Sequence, residues 1–288
     1  MAAPPPEPAT IAELLDRYDG VLLDAYGVLV DDRGLLPGAA ALLAELDRRG
    51  TPFAIVTNDA SRLPATYAAR FARHGVRLAA ERVVTSGSLL PGYFRDHGLV
   101  GARTCVLGTP DAFAYVRAGG GVPVALERGM AIDAVAVCDD SGTPFVDGIE
   151  LAFSAVVRAV EAGRRPALVL PNPDLIYPKG DAEYGFTAGA MALLIEAALG
   201  RRLPGHGLVF DRLGKPGPQL FAEARNRVGG HVVMIGDQLE TDIAGACAAG
   251  IDAALLAGVS RWPPARPGDS TSVASGVAPR YLLATIEP

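Results

Sequence analysis

Polar side chains that could do chemistry follow three short apolar runs, and one lysine precedes a predicted helix. Asp24 follows 21–23, Thr57 and Asn58 follow 53–56, Asp237 follows 232–235 after one glycine, and Lys215 lies between Gly214 and Pro216. Apolar runs of this length predict buried strands, and open parallel sheets bind ligands outside the carboxyl ends of their strands. We therefore expect these side chains to meet at one edge of a sheet.

Together these residue types predict chemistry at phosphorus. A carboxylate such as Asp24 can attack phosphorus and form an aspartyl-phosphate, but both groups are anionic, so a cation must bring them together. Asp24, Asp237 and Asp242 offer the hard oxygen ligands that suit Mg²⁺. The groups that can donate to phosphoryl oxygens and stabilise the charge of the transition state are Thr57, Asn58 and Lys215.

Each of these residues also has an ordinary structural explanation. An aspartate at a strand end is commonly a helix N-cap. Asp242 could lie in the first turn of a helix, where a negative charge interacts favourably with the helix dipole. Thr57 and Asn58 could cap a turn, and Lys215 could be a solvated surface charge. Their joint placement at successive strand ends favours the functional interpretation.

The composition excludes several function classes. The 288 residues carry a net charge of −6 with a pI of about 5.3, whereas a nucleic-acid-binding face is basic. The three cysteines show neither a disulfide framework nor zinc-site spacing. The N-terminal segment MAAPPPEPAT predicts a flexible leader rather than a signal peptide, and no apolar stretch is long enough to span a bilayer. We expect a cytoplasmic protein that binds neither nucleic acid nor membranes.

Strands alternate with amphipathic helices along the chain, which predicts an α/β fold with parallel sheets. The predicted strands are 21–23, 53–56, 104–107, 122–125, 134–137, 167–170, 232–235, 253–256 and 281–284. The predicted helices are 39–49, 64–73, 88–97, 111–118, 149–162, 187–199, 218–228 and 239–249. The middle of the chain has its own alternation of predicted strands and helices. We therefore predict a core domain of 1–79 and 182–288 with a second domain, 80–181, inserted into it. The segment 261–279 is predicted to be a loop.

The motifs of the chain resemble those of the haloacid dehalogenase (HAD) superfamily, in particular the NagD-like phosphatases of subfamily IIA. The four matching motifs are LLDAYGVL, IVTNDASR, LGKPGP and MIGDQLETDIAGACAAGI, and LLPGAAALLAEL and PNPDLIYP also match. The resemblance covers nearly the whole chain, and the fourth motif is the most specific. It implies a Rossmann-like three-layer core with a parallel sheet and an inserted α/β C2-type cap domain. Relatives with such a cap often form homodimers through it.

The resemblance also implies a role for each site residue. Asp24 would be the nucleophile and a Mg²⁺ ligand, and Asp237 and Asp242 would be further metal ligands. The residues that would hold the phosphate are Thr57, Asn58 and Lys215. Asn172 and Asp174 of the predicted cap would lie near the substrate entrance, where they either touch the substrate or shape a turn.

Tyr26 departs from the family pattern, because the phosphatases of the family usually have a second aspartate here as general acid and base. Its backbone carbonyl can still bind the metal, since this needs no particular side chain. A phenol, with an ordinary pKa of about 10, is poorly matched to base work at neutral pH. We therefore expect slow turnover. The loss of rate should be smaller for substrates with acidic leaving groups. Asp31 and Asp32 are nearby candidates for the missing acid, and are otherwise expected to be solvated turn residues.

Three functions fit these residues. The first is a Mg²⁺-dependent phosphatase of a small phosphorylated metabolite, such as a sugar phosphate or a nucleotide. The second is a phosphometabolite-binding protein with little or no turnover. The third is a 2-haloacid dehalogenase, because such enzymes carry the letters DAYG and attack carbon with an aspartate. The retained Asp237 and Asp242 and the predicted type of cap argue against the third.

Overall fold

The computed structural model describes residues 5–180, 183–257 and 277–288. Its strands are β1 (Glu7–Ala9), β2 (Gly20–Asp24), β3 (Phe53–Thr57), β4 (Val83–Thr85), β5 (Arg103–Leu107), β6 (Val122–Pro123), β7 (Ala134–Val137), β8 (Ala167–Leu170), β9 (Ile176–Pro178), β10 (Tyr184–Phe186), β11 (Asp211–Arg212), β12 (Val232–Gly236), β13 (Asp252–Leu256) and β14 (Tyr281–Leu283). Its helices are α1 (Ile11–Arg17), α2 (Ala39–Arg49), α3 (Pro64–Ala72), α4 (Leu90–Asp96), α5 (Pro110–Ala118), α6 (Phe145–Glu161), α7 (Ala188–Arg202), α8 (Pro218–Val228) and α9 (Ala244–Ala248). A π-helical turn, Leu239–Ile243, leads into α9.

The chain divides into two compact units. The first comprises Met1–Thr57, Pro64–Val84 and Lys215–Pro288, and the second comprises Asn58–Leu63 and Thr85–Gly214. This division corrects the predicted boundary at 181, because residues 183–214 belong to the inserted unit. The reason is packing: α7 lies against α6, and β11 pairs with β8.

The first unit is built on a seven-stranded sheet in the order β1-β14-β13-β12-β2-β3-β4. The central strand β2 pairs in parallel with β12 on one side and β3 on the other, with Leu23 opposite Ile235 and Asp24 opposite Val56. Every residue of β2, β3 and β12 is buried. Because both faces of such a sheet are covered, its strands appear in the sequence as continuous apolar runs.

Helices cover the sheet of the first unit. Helices α1, α2 and α3 place Leu14, Leu46 and Phe71 in one apolar cluster with Val21 and Leu23 of β2. Helix α8 packs on β2 and β3 and also against α9. The strands are therefore packed and buried up to their carboxyl ends, where the predicted site residues lie.

The N-terminal segment is ordered from its first strand, so its prediction as a flexible leader is wrong for residues 7–10. Strand β1 pairs in parallel with β14. Thr10 then caps α1 in a reciprocal capping box with Glu13, in which each side chain accepts a backbone N–H of the other residue. These contacts fasten the segment to the edge of the sheet.

The second unit has its own five-stranded parallel sheet, in the order β11-β8-β7-β5-β6, and a separate antiparallel hairpin of β9 and β10. Helices α6 and α7 share one apolar cluster with the sheet, through residues such as Val156 and Ile195. Helices α4 and α5 share another, through Phe94 and Val116. Both units are thus α/β layers around parallel sheets, which confirms the predicted fold class.

Several predicted elements differ in extent. The strand predicted at 122–125 covers only Val122–Pro123, and the helix predicted at 239–249 is a π-helical turn followed by α9. Most of the predicted loop 261–279 lies outside the described residues. Within the described part of the chain, no helix combines the length and apolar character that crossing a bilayer requires.

Candidate active site

The carboxyl ends of adjacent strands bring the predicted acidic residues of the first unit together. Asp24 is the last residue of β2. Asp237 directly follows β12, which is the strand hydrogen-bonded to β2. Asp242 lies in the π-helical turn that follows. These three residues are buried, with relative exposures of 4%, 7% and 0%. One carboxylate oxygen from each can be chosen so that all three lie within 4.8 Å of one another.

Two glycines make this close approach possible. A Cβ at Gly27 would lie 2.3 Å from Oδ2 of Asp237, and a Cβ at Gly236 would lie 2.3 Å from Cβ of Asp242. Neither distance is compatible with a side chain at these positions. Gly27 also has a φ of 98°, which other residues rarely adopt. The backbone at both glycines therefore acts as part of the wall of the site.

Lys215 lies inside the acidic cluster and is not a solvated surface charge. Its Nζ donates to Oδ1 of Asp24 and to Oδ1 of Asp242, at 2.6 Å each, and to the carbonyl oxygen of Val56 at 3.3 Å. The side chain is only 5% exposed. The lysine thus bridges the end of β2 and the π-helical turn.

The electrostatics of the cluster favour a further cation. Burial raises the pKa of Asp24 well above its usual range, and the charge of Asp242 adds to this rise, which Lys215 only partly offsets. Burial alone would lower the pKa of Lys215, but the charges of Asp24 and Asp242 outweigh it and raise that pKa. The cluster brings three carboxylates together with one ammonium, so it is rich in negative charge when all are ionised. Hard oxygen ligands with this excess charge fit a divalent cation such as Mg²⁺.

The predicted phosphate-binding pair is divided between the two units. Thr57 ends β3 and is buried in the first unit, whereas Asn58 begins the segment assigned to the second. The side chain of Asn58 donates from Nδ2 to Oδ1 of Asp174 at 2.9 Å, and its backbone carbonyl accepts from Oγ of Ser86 at 2.7 Å. Asn58 is therefore held in one orientation by the second unit.

Asn172 and Asp174 have different roles in the second unit. Oδ1 of Asn172 accepts from the backbone N–H of Asp174 at 3.0 Å, a local bond typical of a side chain that shapes a turn. The Asp174 carbonyl oxygen accepts from Oγ1 of Thr187, and its carboxylate holds Asn58. Of the two, Asp174 is the residue that acts on a predicted site residue.

Asp31 stabilises a turn, which was the alternative expected for it. Its Oδ1 accepts from the backbone N–H groups of Arg33 and Gly34 at 2.8 and 3.2 Å. It is buried rather than solvated, and its carbonyl oxygen accepts from Arg70. Asp32 is exposed, as expected. The contacts of Asp31 give no support to its role as the missing acid.

The residues that support the site were not predicted from the sequence. Gly27 and Gly236 permit the close approach of the carboxylates, and Gln238 and Thr241 shape the π-helical turn. A detectable signal exists for the glycines, since each lies within three residues of a predicted metal ligand. No comparable signal marks the hydrogen bonds of the turn.

Comparison with known proteins confirms the predicted family. Residues 21–121 match the family described as haloacid dehalogenase-like hydrolase, and residues 212–277 match the HAD-hydrolase-like family. Human chronophin is 30% identical over 269 residues, which cover 88% of this chain and 86% of chronophin. The chain belongs to the HAD-like hydrolases.

Solved structures share the fold over nearly the whole chain. A possible sugar phosphatase of the HAD superfamily from Cytophaga hutchinsonii has a TM-score of 0.82 and 25% identity, covering 98% of this chain and 99% of its own. A glycerol phosphate phosphatase from Mycobacterium tuberculosis, solved in complex with magnesium, has a TM-score of 0.76 and 27% identity, covering 97% of this chain and 78% of its own.

Proposed function

We propose that the protein is a Mg²⁺-dependent phosphatase that hydrolyses a phosphate monoester of a small metabolite through an aspartyl-phosphate on Asp24. The observation that carries the proposal is the cluster at the end of β2, where Asp24 is bridged by Lys215 and lies beside Asp237 and Asp242. A nucleophilic carboxylate needs positive charge on both sides of the reacting phosphorus, and this cluster can supply it.

The cation would be held by the carboxylates of Asp24, Asp237 and Asp242 and by the backbone carbonyl of Tyr26. When bound, Mg²⁺ neutralises charge on the phosphoryl group and favours the ionised form of the nucleophile. A carboxylate oxygen of Asp24 then attacks phosphorus, and the bond from phosphorus to the leaving oxygen breaks. Lys215 stabilises the charge that develops on the phosphoryl oxygens.

Thr57 and Asn58 donate hydrogen bonds to the phosphoryl oxygens in this proposal. The orientation of Asn58 by Asp174 supports its part, because the bond from Nδ2 to Asp174 fixes the plane of the amide. Water then attacks the aspartyl-phosphate and restores Asp24. Tyr26 occupies the position of the usual acid and base, so the best substrates are esters with acidic leaving groups, which depart without a proton.

The substrate class follows from the relatives. The names of a possible sugar phosphatase and a glycerol phosphate phosphatase support small phosphorylated metabolites. We propose that Asn172 and Asp174 lie near the bound substrate. The cytoplasmic location and the pairing of two chains stay predictions.

The test is phosphate release from a panel of glycerol phosphate, sugar phosphates, nucleotides and an aryl phosphate, with Mg²⁺ and with a chelator. We expect release that requires Mg²⁺ and is abolished by Asp24→Asn. As a matched control, Asp19→Asn changes an aspartate whose carboxylate accepts the backbone N–H of His231 in the same unit. Release that continues in the chelator, or in Asp24→Asn, would disprove the proposed mechanism.

The presence of a tyrosine at position 26 favours a second candidate function, that of a phosphometabolite-binding protein with little turnover. Such a protein keeps the acidic cluster and Lys215 but lacks a carboxylate at position 26 to activate water. Tight Mg²⁺-dependent binding of phosphate esters without release of phosphate would support it. The acidic cluster speaks against the dehalogenase alternative, for which halide release from 2-chloropropionate is the direct assay.

A further inference from the structure

The position of Lys215 depends on Asp242 as much as on Asp24. Its ammonium group lies 2.6 Å from one oxygen of each carboxylate. Asp24 is fixed by the sheet, since it ends the central strand β2. Asp242 has no strand to fix it, because it lies in the irregular turn after β12. The accuracy with which Lys215 is held therefore depends in part on the contacts that stabilise this turn.

The turn that carries Asp242 is organised around Gln238. The carbonyl oxygen of Gln238 accepts from the N–H groups of Asp242 at 3.1 Å and Ile243 at 3.2 Å, and the second bond is the five-residue spacing of a π-helix. The backbone N–H of Gln238 donates to Oδ2 of Asp242 at 3.2 Å. The two oxygens of Asp242 thus have different partners, with Oδ1 bound to Lys215 and Oδ2 to Gln238.

A side-chain bond closes the same turn. Oγ1 of Thr241 donates to Oε1 of Gln238 at 3.2 Å, which links the residue before the turn to its middle residue independently of the backbone. Both side chains are half-buried, so water competes only partly for this bond. Isolated π-helical turns are uncommon and often occur at functional sites, where they aim one residue. In this protein the turn orients Asp242 towards Lys215.

We propose that Thr241 is a positioning residue for Lys215, acting through Gln238 and Asp242, a role that rests on the proposed phosphatase function of the site. Without the Thr241 hydroxyl, Gln238 loses its side-chain partner and the turn loosens. Asp242 then holds the ammonium group of Lys215 less precisely, and the charge that develops on the phosphoryl group is stabilised less well.

The first measurement compares Thr241→Val, which removes the hydroxyl at nearly constant volume, with Thr241→Ser, which keeps it. We expect Thr241→Val to lower kcat about fivefold, with a KM that changes less than about twofold. Thr241→Ser should stay close to the wild type. Thr66→Val, at an exposed position of α3, controls for the loss of a threonine hydroxyl elsewhere.

The second measurement reports the position of Lys215 without turnover. The chain has two lysines, the exposed Lys179 and the buried Lys215. Brief acylation with acetic anhydride followed by mass spectrometry therefore gives a ratio in which Lys179 is the internal reference. We expect Lys215 to react slowly in the wild type, several-fold faster in Thr241→Val, and slowly again in Thr241→Ser and Thr66→Val.

The two measurements separate the failure of this inference from that of the proposed function. An unchanged acylation ratio in Thr241→Val would overturn the positioning role, as would an equal change in Thr241→Ser. If the wild type released no phosphate from any ester, the phosphatase proposal would fail, and the acylation ratio would still decide whether Thr241 holds Lys215 in place.

Discussion

The backbone of Gly27 lies against the carboxylate of Asp237, so closely that a Cβ at position 27 would be 2.3 Å from Oδ2. This contact joins the loop after β2 to the end of β12. A Cβ at the neighbouring Gly236 would lie equally close, at 2.3 Å, to Cβ of Asp242. The proposed metal site is therefore bounded by backbone as well as by side chains.

Replacing Gly27 by alanine should displace Asp237 and cost on the order of 100-fold in phosphate release, because misplacement by about 1 Å has effects of that size. The affinity for Mg²⁺, measured by titration calorimetry, should fall as well. Gly50→Ala is the matched control, since Gly50 also has a positive φ, 67°, but a Cβ there meets nothing within 4 Å. Equal losses in both variants would show that backbone strain, and not the contact with Asp237, is responsible.

Replacing Tyr26 by aspartate should raise the turnover of alkyl phosphate esters. A carboxylate at this position can protonate the leaving oxygen and then activate water, and general acid–base catalysis typically contributes about 10²–10⁴-fold. We expect at least about tenfold in kcat, with a smaller gain for an aryl phosphate. Tyr26→Phe, which has neither acid nor base, is the control. A folded, Mg²⁺-binding Tyr26→Asp protein that is no faster would refute the role given to this position.

Binding of Mg²⁺ should strengthen as the pH rises. In the absence of metal, burial and the charge of Asp242 hold the pKa of Asp24 well above its usual range, so Asp24 keeps its proton where an exposed aspartate is ionised. The cation must displace this proton, so its affinity increases by up to about tenfold per pH unit below the raised pKa and levels off above it. Calorimetry between about pH 5 and pH 8 measures the slope, which should be much shallower in Asp24→Asn. A wild-type slope as shallow as that of the variant would contradict the prediction.

Removing the carboxylate of Asp174 should weaken phosphate binding through Asn58. The bond from Asn58 Nδ2 to Asp174 has a charged acceptor, and Asp174→Ala would remove this restraint on the orientation of the amide. The inhibition constant of inorganic phosphate should therefore rise about tenfold. Asp147→Ala, at an exposed position in the first turn of α6, controls for the loss of one negative charge in the same unit. Equal inhibition constants in wild type and Asp174→Ala would remove Asn58 from the phosphate site.

The sequence predicted that Asp24 and Asp237 meet because buried parallel strands are easy to recognise. The strands β2, β3 and β12 are continuous apolar runs, and their carboxyl ends must meet at one edge of the sheet. This rule placed Asp24 and Asp237 together. Lys215 was predicted from its motif, but its burial between two carboxylates depends on the turn at Asp242. The sequence of this turn has no periodic apolar pattern from which the turn could be predicted.

The parts that were missed have weak or ambiguous patterns. Strand β1 has the sequence EPA and exists because β14 offers a free edge, which no local pattern shows. Helix α1 is short, although the spacing of Thr10 and Glu13 was a detectable capping signal. Helix α7 was predicted as a helix but assigned to the core, since an apolar stripe does not reveal which sheet it covers.

The pairing of β2 with β12 has a consequence for biosynthesis. A ribosome-bound chain that ends before Val232 already contains Asp24, but the strand beside it and the two other acidic residues have not been made. One edge of β2 is then an unfilled row of backbone donors and acceptors. The nascent protein therefore lacks two of the three proposed carboxylate ligands, and its central sheet stays open to wrong partners until β12 has been made.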